Sequence, residues 1–143
     1  MPSRIHFFKE EVAFRLQNKS GLLKWIKRVI ANEGKKPGAI NFIFCSDKYL
    51  LGINRQYLKH DYFTDIITFH NNTDDLLNGD IYISIERVKE NAINLDVAFH
   101  VELSRVMIHG VLHLLGYSDK TAARKKQMRK QEDACLSLLA RFT

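Results

Sequence analysis

Cysteine is nearly absent: Cys45 and Cys135 are the only two in 143 residues. They lie far apart and lack ligand spacing, which argues against a disulfide framework and leaves two buried free thiols as the expectation. Proline is as scarce, with two residues. There is no low-complexity tract, no internal repeat and no evident linker. No apolar run reaches the ~18 residues that a membrane span needs. The stretch "MPSRIHFFKEEVAF" meets Lys9, Glu10 and Glu11 before a signal-like apolar core can form. These absences predict a cytoplasmic protein with no membrane partner. With 45% hydrophobic residues, the chain is expected to form a single domain, 1–143, with a real core.

Charge is present in excess and unevenly placed. The 22 basic and 16 acidic residues leave +6. Residues 1–37 hold nine Lys/Arg against three Asp/Glu, residues 38–119 six against eleven, and residues 120–143 seven against two. Basic flanks around an acidic middle can attract a polyanion, nucleic acid above all. They also serve solubility alone.

The pattern predicts an α+β fold, a small mixed β-sheet of about four strands packed with about five helices. Strands are expected at 5–8, 39–45, 65–70 and 80–86, with a turn at "KPG", 36–38. The polar loop "NNTDDLLNG" favours an antiparallel pairing of the last two strands. Helices are expected over 18–34, from Ser46 through "DKYLLGINRQYL", over 86–95, over 97–116 and from about 121. The helix over 97–116 is apolar almost all round, hence buried.

That buried helix carries "HGVLHLLGYSD", residues 109–119. Positions i and i+4 lie ~40° apart in azimuth and ~6 Å apart in rise, so His109 and His113 share a face and can converge on one ion. Gly116 accepts the left-handed conformation that ends helices, and Asp119 can then swing back toward the same point. Two imidazoles and a carboxylate leave a fourth position open, as in catalytic zinc sites. Without a metal, each buried imidazole would need a hydrogen-bond partner. Asp119 has a second reading, as the cap of the final helix. Metalloproteases of the HExxH type place a glutamate after the first histidine as general base. Here that position is Gly110, which disfavours a peptidase. Glu102, on nearly the same face, is either a supporting partner or a solvent-facing residue.

"HGVLHLLGYSD" resembles HGxLHLxGYDH, the signature of the YbeY family of bacterial zinc-dependent endoribonucleases. "YFTDIITF" (62–69) resembles that family's (P)TDVLSF strand, and "NGDIYIS" (78–84) its GDIxI strand. The resemblance implies one Zn2+ per chain, held by His109, His113 and Asp119. It implies a single-strand-specific endoribonuclease acting in ribosomal RNA processing (late 16S maturation) and in ribosome assembly and quality control. The implied partners are ribosomal RNA and ribosomal particles; the oligomeric state is left open, with a monomer favoured.

Two departures stand out. Asp119 replaces the third histidine; a carboxylate binds zinc but weakens its Lewis acidity, and two histidines with one carboxylate also suit non-haem iron. Leu58 replaces an arginine common in the family's LNxxYR stretch. Arg55, Lys59 and His60 are the nearby candidates for the missing cation. Thr64 and Asp65 are candidate positioning groups. Arg124, Lys125, Lys126, Arg129 and Lys130 are candidate RNA contacts, or simply a solvated helix face. Leu58 keeps open an alternative, a non-catalytic ribosome-associated RNA-binding factor with structural zinc.

Overall fold

A computed structural model describes residues 4–143. Strand β1 spans Arg4–Glu10, helix α1 Lys19–Asn32 and strand β2 Lys36–Cys45. Because α1 carries the chain back across the sheet, β1 and β2 run parallel. Strands β3 (Ile66–His70) and β4 (Leu76–Ser84) form the expected antiparallel pair. β4 also lies parallel to β2, giving one mixed sheet in the order β1-β2-β4-β3. The helices are α2 (Asp47–Ile53), α3 (Ile85–Leu95), α4 (Phe99–Leu114) and α5 (Ala122–Leu139). A π turn over Asn54–Leu58 continues α2, and a short 3-10 turn over Ala140–Phe142 follows α5.

Several boundaries differ from expectation, those of β2 and β4 the most instructive. "KPG" is not a turn but the start of β2, with an irregular register between Pro37 and Ile40. Pro37 sits at that irregularity, near the first residue of the strand, a setting that tolerates proline. β4 begins at Leu76, which shortens the polar loop, and a Thr73–Leu76 bridge closes it. β4 ends at Ser84 because the Ser84 hydroxyl accepts from the Arg87 amide at 3.1 Å and starts α3 there.

Strand alternation sorts the apolar residues into two layers. Ile40, Phe42, Phe44, Ile81 and Ile83 face the main core with α1, α4 and α5. Cys45 and Ile67 face the other side, where Leu50 of α2 covers them. α4 is the buried helix: Met107, Ile108 and Val111 are wholly inaccessible. Trp25 locks α1 to α5, its indole donating to the Cys135 carbonyl at 2.7 Å. Both thiols are free and buried, as expected. Burial pushes Cys45 up to about 12 and Cys135 up to about 11, so neither is a thiolate at neutral pH.

Candidate metal centre

α4 presents His109 and His113 on its least buried stripe. Their Nε2 atoms lie 3.1 Å apart. α4 stops at Leu114, and Gly116 supplies the reversal at φ 102°. The Gly116 amide donates to the His113 carbonyl and the Tyr117 amide to the Leu112 carbonyl, each at 3.0 Å. That bond pair is the Schellman closure, which needs a left-handed residue in the glycine position. The chain then returns Asp119, whose Oδ2 lies 3.6 Å from His109 Nε2 and 3.5 Å from His113 Nε2. Asp119 is not the cap of α5: the Thr121 hydroxyl accepts from the Arg124 amide at 3.1 Å and fills that role.

The donor set fits a tetrahedral ion. Bonds of the length usual for zinc to nitrogen and oxygen place neighbouring donors about 3.3 Å apart. The three separations here, 3.1, 3.5 and 3.6 Å, bracket that value. The donors also lie within 4.8 Å of one another as a group.

The structure adds a residue that the motif does not contain. Glu132 of α5 is buried, and its Oε2 lies 2.6 Å from His109 Nδ1. With Nδ1 protonated toward this carboxylate, the Nε2 lone pair is free to face the same point as Asp119 and His113, where an ion could sit. Burial alone would lower the His109 pKa, but the Glu132 hydrogen bond and charge outweigh it and hold the imidazole up. Burial lowers His113, and the neighbouring His109 adds to that. A signal for Glu132 did exist in the sequence. It falls four residues after Met128, on the one buried stripe of α5, where a lone carboxylate is costly without a partner.

The donors sit in a cleft of about 640 Å³ walled by α4, α5, β3 and the segment before β3. Thr64 and Asp65 line it, as do Lys125 and Arg129. Arg124, Lys126 and Lys130 point elsewhere and are exposed. Of the candidate cations near Leu58, only His60 lines the cleft, beside Leu58 itself. Arg55 is paired with Asp61 instead. Lys59 ends the π turn in the left-handed conformation and is outside the lining.

Two further charged groups complete the floor. Arg105, which sequence reasoning passed over, reaches Glu132 at 3.3 Å, Asp133 at 3.2 Å and Glu102 at 3.6 Å. Glu102 is neither solvent-facing nor a direct partner of the histidines. It is 4% exposed, and its Oε1 has no hydrogen bond. Burial raises its carboxyl pKa, and burial raises that of Asp65 as well.

Gly110 also gains a physical reason. A Cβ there would lie 2.8 Å from Ile81 Cγ2 and 3.1 Å from Ile66 Cδ1. The position faces the sheet and not the cleft, so α4 could not present a general base from it.

Known proteins resemble this chain along nearly its whole length. The family model described as endoribonuclease YbeY matches residues 5–140. The endoribonuclease YbeY of Flavobacterium psychrophilum is 51% identical over 131 residues, covering 92% of this chain and 94% of that one. The Cytophaga hutchinsonii protein of the same name is 47% identical over 135 residues, covering 94% of each. The solution structure of a Thermotoga maritima protein superposes with a TM-score of 0.69 at 25% identity, over 93% of this chain and 88% of that one. Fold, donor geometry and these matches converge, and the chain belongs to the endoribonuclease YbeY family.

Proposed function

We propose that this chain is a metal-dependent endoribonuclease whose cleft binds single-stranded RNA over the His109, His113 and Asp119 donors. The family match supports the activity. The three donor atoms, 3.1 to 3.6 Å apart on the cleft floor, are the observation that carries the site. Zinc is the ion that this donor set and spacing suit best. A bound divalent ion supplies Lewis-acid stabilisation of charge at the phosphate.

The chain's own residues do the rest. Glu132 fixes the tautomer and tilt of His109 from behind. Arg105 pairs with Glu132 at 3.3 Å and holds the carboxylate in place. Arg105 is therefore committed to carboxylates. Lys125 makes no ion pair among the described residues, and Arg129 has only a 3.9 Å approach to Glu132. These two are the cleft cations left for phosphate, and they take the part that Leu58 cannot. The acidic floor from Asp65 and Glu102 discourages phosphates from settling away from the donors. Gly110 removes the peptidase reading, because its position is turned into the sheet.

The RNA is proposed to be ribosomal, met on ribosomal particles in the cytoplasm, by one domain acting as a monomer. Among the described residues, no helix is long and apolar enough to cross a membrane. The test is His113→Ala, with metal content and cleavage of a single-stranded RNA measured on the same preparation. The variant should lose most of its metal and its cleavage while keeping its helical spectrum. A variant that keeps both overturns the site.

A further inference from the structure

The segment between α2 and β3 holds a feature that the metal site does not use. His60 and Tyr62 both line the cleft, and both are exposed, Tyr62 by 55%. Their rings stack nearly parallel, with centroids 5.2 Å apart and planes 20° apart. The Tyr62 hydroxyl lies 3.0 Å from His60 Nδ1, which ties the two rings into one unit.

The backbone beneath them is fixed. Asn54, 1% exposed, donates from its side chain to the Tyr62 carbonyl at 2.9 Å. Its own carbonyl accepts from the His60 amide at 3.1 Å. An ion pair between Arg55 and Asp61 closes the same loop. A buried asparagine that anchors two exposed aromatic residues holds them in place before any ligand arrives. Folding alone gains little from a large ring left half in water.

We infer that the stacked His60–Tyr62 pair is a base-stacking platform that seats one unpaired nucleobase of the RNA at the cleft. This rests on the endoribonuclease reading above. An aromatic face accepts any base, so the contact is sequence-tolerant. A duplex base already has both faces covered by its neighbours, so only an unpaired base can lie on the platform. The platform thereby selects single strands, while Lys125 and Arg129, lining the same cleft, hold phosphate. It lies two and four residues beyond Leu58, so stacking stands in this loop beside a position that offers no charge.

The test uses the metal-loaded protein and a short single-stranded RNA blocked at each 2′ oxygen by methylation. Binding is read by fluorescence anisotropy, beside the same oligomer made abasic. Tyr62→Ala should weaken binding of the base-bearing oligomer about tenfold. Tyr62→Phe keeps the ring and should stay within about threefold of the parent protein. The abasic oligomer should bind all three proteins alike. Undiminished binding by Tyr62→Ala, or an equal loss with the abasic oligomer, overturns the platform. Cleavage of unmodified RNA by the parent protein, run in parallel, reports separately on the endoribonuclease reading.

Discussion

Glu132 is the residue on which the proposed metal centre turns, although it stands outside the motif. A buried carboxylate is stable only with close partners, and it has two, His109 at 2.6 Å and Arg105 at 3.3 Å. Glu132→Gln removes the charge and keeps the size. Metal affinity should fall about 10- to 100-fold, measured by competition with a chromophoric chelator. An unchanged affinity would show that His109 orients itself. Glu102 supplies a second, independent test. Burial raises its carboxyl above the ordinary 4.5. Between 4.5 and the raised value the folded chain holds a proton that the unfolded chain has released, so stability falls as pH rises through that window and stays lower above it. Glu102→Gln deletes the titrating group. Its melting temperature should exceed the parent's at about pH 8 and vary less from about pH 5 upward. A variant that is less stable at alkaline pH would contradict the assignment. His109, His113 and Asp119 were readable from spacing because helical geometry is local. Glu132 was harder to read because its partner lies 23 positions away.

At the scale of elements, α4 must be close to the sheet on one side and open to the cleft on the other. Gly110 makes the close side possible. In Gly110→Ala the new methyl would meet the branched methyl of Ile81, a wholly buried residue on a central strand. The overpacking outweighs the gain in helix propensity, and the loss should be ~1–2 kcal/mol. Urea unfolding would show it as a lower midpoint at unchanged slope; a midpoint at or above the parent's would mean that α4 can shift freely. The helix caps at Ser46, Ser84 and Thr121 all accept the amide three residues on, as the side-chain chemistry dictates. The strands were legible from alternation, and the antiparallel pair from its short polar loop. The start of β2 was not, because "KPG" carries strong turn signals that only its pairing with Leu76 and Leu77 of β4 overrides. The early start of β4 was also hidden, since Leu76 and Leu77 sit inside a run of polar turn formers.

Over the whole molecule, the acidic middle and the basic C-terminal stretch meet at one place. Asp65, Glu102 and Asp119 come from the acidic segment, Lys125 and Arg129 from the basic one, and all five line the same cleft. Net charge by segment hinted at a polyanion but could not say which cations face it. Helix α5 decides that by its packing, which turns Met128 and Glu132 inward and takes Lys125 and Arg129 with them. The main core is built from apolar residues of both sheet and helices and does not include the metal donors. The chelated protein is thus expected to stay folded and lose activity, which separates a catalytic metal from a structural one. The direct measurement is a titration of zinc into chelated, folded protein, with cleavage of a single-stranded RNA followed at each addition. Cleavage should be absent at the start, rise in proportion to the metal added, and level off at about one ion per chain. Full cleavage by the chelated protein, or none at saturating metal, would contradict the metal-dependent endoribonuclease.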